Sequence, residues 1–463
     1  FDGHYFVKRS PMTSQPQHAT GHLDSSNHST DTDTDTDTDT DTHTLISSNL
    51  TSRKSPHSQP QNQPPPQQPH TKPPTTPPSL IVKIMIGMIG AFAFLQVYSI
   101  QAILPIMMQA FSATETQVGM TVGATVIAIA IMSPFMGMLS DAVGRKNIIV
   151  ASIAFMAIPT MMIGLSDSLS SIVIWRFMQG LAVPGITVVT IAYVGEEYAG
   201  KEMAKMMSYY VSGTVFGGFL GRFILGHLEE LIGWEKGFVF MGMLTVLGAA
   251  LVAWLLPRSR HFHANPNFTS ALHMLSKHVR NPYVVTAGLL GACVLFSLVG
   301  CFTYVNLHLA DAPYNLSSAG LANIFAVYLI GVVVTPIASS LIAKYGAARM
   351  VRVAVMISMM GVLMTLAAPL SLVIVALAVM STGVFITQSA TITYIAVNVK
   401  EGRSLASGLY YMAYYIGGSI GAWACGLAYA QGKWLYTVYT LLAVQVIALL
   451  IAFFGLIKIP IKR

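Results

Sequence analysis

Acidic residues are missing from the interior of every long apolar run in this chain, and charge of both signs amounts to 10% of residues against 53% apolar. That balance excludes an ordinary soluble domain, which needs far more charge on its surface. Cysteine is equally sparse. Cys293, Cys301 and Cys425 show neither metal-ligand spacing nor the pairing of a secreted disulfide framework, so no metal and no cofactor is expected. No Walker A sequence is present, which argues against an ATP-driven pump. No constellation of acid, base and nucleophile points to an enzyme. Basic residues are scattered between apolar runs rather than gathered on a stripe, which leaves no nucleic-acid footprint. A charged start followed by a short apolar stretch and a cleavage site is also missing, so no signal peptide is expected.

What the chain does contain is a dozen apolar segments: 81–105, 118–139, 148–165, 170–193, 206–226, 237–256, 283–305, 319–342, 351–366, 371–394, 405–425 and 434–457. Most are long enough to cross ~30 Å of hydrocarbon as helices, whose backbone bonds are all internal. They predict an all-α polytopic membrane protein with twelve transmembrane helices. If the first span leaves the cytoplasm, the inner joints carry sixteen Lys or Arg between Arg145 and Arg463, and the outer joints only Lys236 and Lys433. This positive-inside bias predicts cytoplasmic termini and basic joints against anionic lipid.

Residues 1–80 carry five Lys or Arg against eight Asp, including six Thr-Asp pairs from Thr30 to Asp41, and predict a disordered cytoplasmic tail. The hydrophilic stretch 257–282 separates six spans from six, giving bundles over 81–256 and 283–463. An internal echo crosses it: Pro134, Gly144, Tyr210 and Gly217-Gly218…Gly221 return at Pro336, Gly346, Tyr410 and Gly417-Gly418…Gly421. Small residues there allow close helix approach, and a twofold repeat of six spans fits two halves around a central site.

Only Arg176 and Arg222 lie well inside spans. Each needs a partner, a wet cavity or a snorkelling route; Arg222 lies within snorkelling reach of the outer end of the fifth span. The acids sit at joints, with Glu196 and Glu197 closing the fourth span. Polar candidates for a cavity lining are Gln96, Tyr98, Gln101, Tyr304, Asn306, Asn323, Tyr328 and Gln388, with an aromatic band of Tyr410, Tyr411, Tyr414 and Tyr415.

Between the second and third spans runs Gly137-Met-Leu-Ser-Asp141-Ala-Val-Gly144-Arg145-Lys146. Gly137 permits tight packing, Gly144 a sharp turn, Asp141 a bond to a helix end or nearby base, and Arg145 and Lys146 an anchor at the headgroups. This segment resembles motif A of the major facilitator superfamily. With 101–105, Arg176-Phe-Met-Gln179-Gly180, Tyr193-Val-Gly-Glu196-Glu197 and Arg260-His-Phe, residues 81–460 are similar to its YnfM-like branch, loosely grouped with arabinose and drug efflux permeases.

The resemblance implies a gate at Gly137, Asp141, Gly144, Arg145 and Lys146 that closes the cytoplasmic side. It implies a coupling or substrate role for Arg176, Gln179 and Gly180, which match motif B. Arg222, Glu196 and Glu197 are the further coupling or substrate candidates. The Gly213…Gly217-Gly218…Gly221 face resembles antiporter motif C, with Gly217-Gly218 in place of its Gly-Pro pair.

The expected protein is a monomeric bacterial inner-membrane carrier that exports a small organic or drug-like solute against protons by alternating access. The alternative is an importer or exchanger of an organic anion using Arg176 and Arg222. A receptor or structural protein ranks lower. Membrane lipids, the solute and protons are the expected partners.

Overall fold

The computed structural model describes residues 78–259, 276–399 and 403–456, apart from the side chains of Gly137, Met138, Asp141, Arg403 and Ser404. The predicted tail, most of the inter-bundle stretch with Arg260, and the side-chain roles given to Gly137 and Asp141 lie outside the described residues.

Among the described residues, nine continuous helices are long and apolar enough to cross a membrane, and the bent pair Leu80–Leu95 and Ser99–Ala110 makes a tenth. The helix Arg403–Phe454 breaks at Gly432 and Lys433 and therefore serves as two spans. Gly200–Ile232, diluted by glycines, tyrosines and Arg222, completes the twelve. In order they are the bent first span, then Glu115–Val143, Arg145–Gly164, Leu169–Glu197, Gly200–Ile232, Trp234–Leu255, Pro282–Ala310, Ser318–Tyr345, Ala347–Met364, Leu370–Asn398 and the two parts of the last helix. Several outrun their apolar segments, because polar caps continue the helix after hydrophobicity ends.

The joints are written in short polar residues and glycines. Ser79, Thr114, Ser168, Asn281 and Ser317 each accept from a backbone N–H of the first helical turn they open. Gly144 and Gly346 end one helix and start the next with φ of +104° and +84°, a conformation costly to a side chain. They occupy matching joints of the two halves, as the repeat predicts.

The first span departs from the straight helix expected over 81–105. It bends by 44° after Leu95 and continues through a 3₁₀ turn, Ser99–Ile103, into Leu104–Ala110. Pro105 contributes no N–H and crowds the carbonyl of Gln101, so a regular helix cannot run through. The eighth span has a 3₁₀ turn at Phe325–Leu329.

Packing repeats across the two halves. The first span lies on the fifth and the seventh on the eleventh. A Cβ on Gly217 would sit 2.2 Å from the carbonyl oxygen of Ala91, and one on Gly417 2.2 Å from that of Ala292. One turn on, Gly221 meets Leu95 as Gly421 meets Phe296. Bare backbone at these positions lets the helix pairs close on each other. The halves meet where the second span packs on the eleventh and the fifth on the eighth.

Gly217→Val should lower thermal stability in detergent by roughly 1–3 kcal/mol, since backbone cannot yield as a side chain does. Gly218→Ala, whose Cβ would meet nothing nearer than 3.6 Å, should be tolerated. Equal melting temperatures for both variants would dismiss the close-packing account.

Candidate functional site

A chamber of about 260 Å³ lies between the halves. Its outermost residues are Tyr98, Arg222 and Tyr328, and it extends toward the face bearing the ends of the first and last spans, past Thr187, Gln388, Ser389 and Tyr411 to Tyr210 and Val211. Apolar and aromatic walls come from Phe94, Leu295, Leu298, Phe385, Tyr414 and Tyr415.

The opposite face is closed by bonds between the halves. Gln101 Nε2 donates to Thr303 Oγ1 at 3.0 Å, and Ser419 Oγ to the Gly123 carbonyl at 3.1 Å. Lys433 Nζ pairs with Glu115 at 2.9 Å. The backbone N–H of Ala319 donates to Glu230 at 2.8 Å. Tight packing joins them: Gly119 leaves room for Tyr304, and Gly226 for Ala322.

Arg222 does not snorkel. Its side chain is fully buried and points into the interior, where Nε and Nη2 donate to Gln101 Oε1 at 2.9 and 2.7 Å. Nη1 donates to the Gly218 carbonyl at 2.5 Å. The guanidinium carbon lies 4.8, 4.4 and 4.6 Å from the ring centres of Tyr98, Phe325 and Tyr328, within cation–π range. Of the partner, wet cavity or snorkelling route that a membrane arginine needs, it takes partners on other helices: neighbours on the first and eighth spans cost less than reaching for water.

Arg176 is likewise fully buried, yet stands outside the chamber lining. It closes the bend in the first span: Nη1 donates to the Gln96 carbonyl at 2.6 Å, Nη2 to the Val97 carbonyl, and Nε to the Thr121 carbonyl at 3.1 Å. The Gln96 and Val97 carbonyls lie at the end of a half-helix, where the dipole favours a cation, and Ser99 Oγ also donates to the first of them at 3.2 Å. Gln179 accepts from Arg176 at 2.7 Å and donates to Thr160 at 2.7 Å. At Gly180 a Cβ would meet the Thr125 carbonyl at 2.2 Å, so this glycine allows the second and fourth spans to touch.

At the face bearing the ends of the first and last spans, Arg145 is buried rather than spread on headgroups. It pairs with Glu196 at 2.5 Å and bonds to Ser140, fastening the third span to the fourth. Glu197 accepts from Ser259 at 2.8 Å. Glu196 and Glu197 thus belong to this face, about 30 Å along the fourth helix from Arg176 at 1.5 Å per residue. Lys146 is half-buried.

Of the predicted lining, Tyr98, Tyr328, Gln388, Tyr411, Tyr414 and Tyr415 reach the chamber. Gln96 donates instead to Met241 and Thr245, Tyr304 to the Ala422 carbonyl at 2.6 Å, and Asn306 to its own helix at Phe302. Tyr410 is buried against Gly291. Asn323 is exposed. Tyr304 and Asn306 thus spend their polar groups within or between helices, whereas Gln96 Oε1 and the Tyr410 hydroxyl are buried without a hydrogen-bond partner. Ser133, Thr187, Thr214, Thr335 and Ser389 line it unforeseen; single hydroxyls in apolar helices carry no signal of which way they face. Tyr210 was visible only as half of the repeat.

A face closed by bonds between related halves, and a chamber that extends from it toward the other side, are what a membrane carrier needs. Residues 86–422 match the Major Facilitator Superfamily, and the chain belongs to that family. It is a secondary transporter, not an enzyme. The inner membrane transport protein YnfM of Escherichia coli K12 is 28% identical over 78% of this chain and 87% of its own. An uncharacterized transporter of Buchnera aphidicola (Baizongia pistaciae) is 30% identical over 76% of this chain and 88% of its own. In fold, the chain is similar to an inward-facing, occupied bacterial homologue of the human lysosomal transporter Spinster (TM-score 0.67, 17% identity, 81% of this chain and 96% of that one). The nucleoside transporter NupG gives a TM-score of 0.67 at 13% identity, over 81% of this chain and all of its own.

Arg176→Gln should cost about 3 kcal/mol or more of stability, because backbone carbonyls in hydrocarbon lose their donor. Thermal unfolding in detergent measures it, and a melting temperature equal to the parent's would remove the assignment of Arg176 to the bend.

Proposed function

We propose that this transporter exports a small organic solute by alternating access, in exchange for protons, as a monomer in a bacterial inner membrane with both termini in the cytoplasm. One observation carries the reading: the chamber extends to Tyr210 and Val211, toward the face bearing the ends of the first and last spans, while bonds between the halves close the other. Positive joints on the terminal side support the orientation. The conformation described is then the one loaded from the cytoplasm. We assign the two bundles to 81–256 and 283–463, joined through 257–282, as the bodies that rock.

Arg145, bonded to Glu196 and Ser140, is the cytoplasmic gate residue in this reading, together with Gly144 and Lys146. It keeps the third and fourth spans moving as one body. Arg176, Gln179 and Gly180 hold the bend of the first span, so their effect on coupling is exerted through position. For protons the candidates are Glu115 and Glu230, because each carboxylate bonds across the closed face. A proton on either weakens its bond, so acid outside favours outward opening.

In a background lacking Cys293, Cys301 and Cys425, Ser389→Cys should react with an impermeant maleimide from the cytoplasmic side in everted vesicles. Ser318→Cys, buried at the closed face, should react from the outside only when that face opens. Glu115→Gln with Glu230→Gln should raise the outer labelling several-fold and flatten its dependence on external pH. If neither site ever changed its accessible side, alternating access would be wrong. Pumping in the importing direction, in vesicles with an imposed pH gradient, would reverse the proposed direction.

A further inference from the structure

Arg222 is the one charged side chain among the described residues lining the chamber. It is fully buried, and the partners described for it are a carboxamide oxygen, a backbone carbonyl and ring faces, none of them an anion. A guanidinium has five N–H groups. Three bond to Gln101 and Gly218, leaving two for Tyr328 or for a solute. Ring faces and neutral oxygens hold a guanidinium less strongly than a carboxylate, which adds full Coulomb attraction to a two-pronged hydrogen bond. In a low-dielectric chamber that difference grows.

Tyr98 and Tyr328 line the chamber and also lie on the guanidinium. A solute therefore gains Arg222 by turning a tyrosine ring aside, with no protein ion pair to break. Beside this end stand Phe385, Tyr411, Tyr414 and Tyr415, flat apolar surfaces with hydroxyl edges. A cation would meet repulsion at the blind end, and a sugar would leave the ring walls largely unused.

The same contacts join the halves. Arg222 and its partners Gln101 and Tyr98 belong to the fifth and first spans, whereas Phe325 and Tyr328 belong to the eighth. Resting on the carrier reading above, we propose that the chamber takes a small aromatic carboxylate received by Arg222. Its capture draws the cation off Phe325 and Tyr328 and so loosens the closed face. Substrate binding and opening toward the other side then share one residue.

The test uses the purified full chain in detergent, with thermal stabilisation titrated by 3-phenylpropionate, 3-indolepropionate and the matched amides and amines. The carboxylates should bind about tenfold more tightly, or better, than their neutral and cationic partners. Arg222→Lys should keep part of that preference and Arg222→Gln none. Carboxylates should also raise maleimide labelling of Ser318→Cys at least about threefold, a step equivalent to a small shift between two states. Amines binding as tightly as carboxylates, silence across the whole panel, or an undiminished preference in Arg222→Gln would overturn the substrate class. Should Arg222→Gln not fold, the parent's own ranking of the panel still decides. Carboxylate binding with unchanged Ser318→Cys labelling would overturn the release step. Ligand-free labelling of Ser389→Cys scores the carrier reading separately, so a chain that alternates but ignores carboxylates refutes only this proposal.

Discussion

A guanidinium in hydrocarbon must find its acceptors inside the protein, because no water is there to supply them. That requirement organises the N-terminal half. Arg176 takes the carbonyls released where the first span bends, and in doing so makes the bend tolerable in lipid. The bend carries Tyr98 and Gln101, which in turn hold Arg222. Arg176 is therefore a condition for the surroundings of Arg222: one fixes the backbone, and the other uses the side chains that the backbone presents.

The two halves share their packing but not their chemistry. Glycines at Gly217 and Gly221 have counterparts in Gly417 and Gly421, and both pairs press on backbone. At the same repeat distance, however, Ala376 stands where Arg176 would recur and Ala422 where Arg222 would. The C-terminal half brings rings instead: Phe325, Tyr328, Phe385 and the tyrosines of the eleventh span. Charge on one body and aromatic faces on the other give an interface of cation–π contacts, strong enough to hold and weak enough to separate. An ion pair in its place would be costly to break without solvent.

Much of the fold was legible in the sequence, since lipid imposes length and polarity rules that few residues escape. Twelve spans, their joints at Gly144 and Gly346, and the glycine contacts all follow from patterns a reader can mark. The site was less legible. Gln96 and Gln101 sit one and a half turns apart in the first span, yet one packs on the sixth span and the other reaches Arg222. The bend decides between them, and it depends on Arg176, which is 75 or more positions away in the chain. The ion pair of Glu115 and Lys433 at the closed face spans over 300 residues and has no local signature. Helix faces can be read from periodicity only where one side is water, and here polarity was diluted on every side.

The two ends of the chamber are built on different physical terms. At the face bearing the ends of the first and last spans, Arg145 and Glu196 link the third and fourth spans, so this bond lies within one half and survives any rocking between halves. At the other face the bonds of Glu115, Glu230 and Gln101 cross the boundary and must part when it opens. A charge pair inside a rigid body contributes shape. A charge pair across a moving boundary contributes to the barrier, and because Glu115 and Lys433 sit near water, their separation is repaid by hydration rather than borne in lipid. Among the described residues, the cation that would have to part from its neighbours across the boundary without that help is Arg222. The cheapest way to free it is to give it an anion, so the physics of opening and the chemistry of the cargo converge on a single side chain.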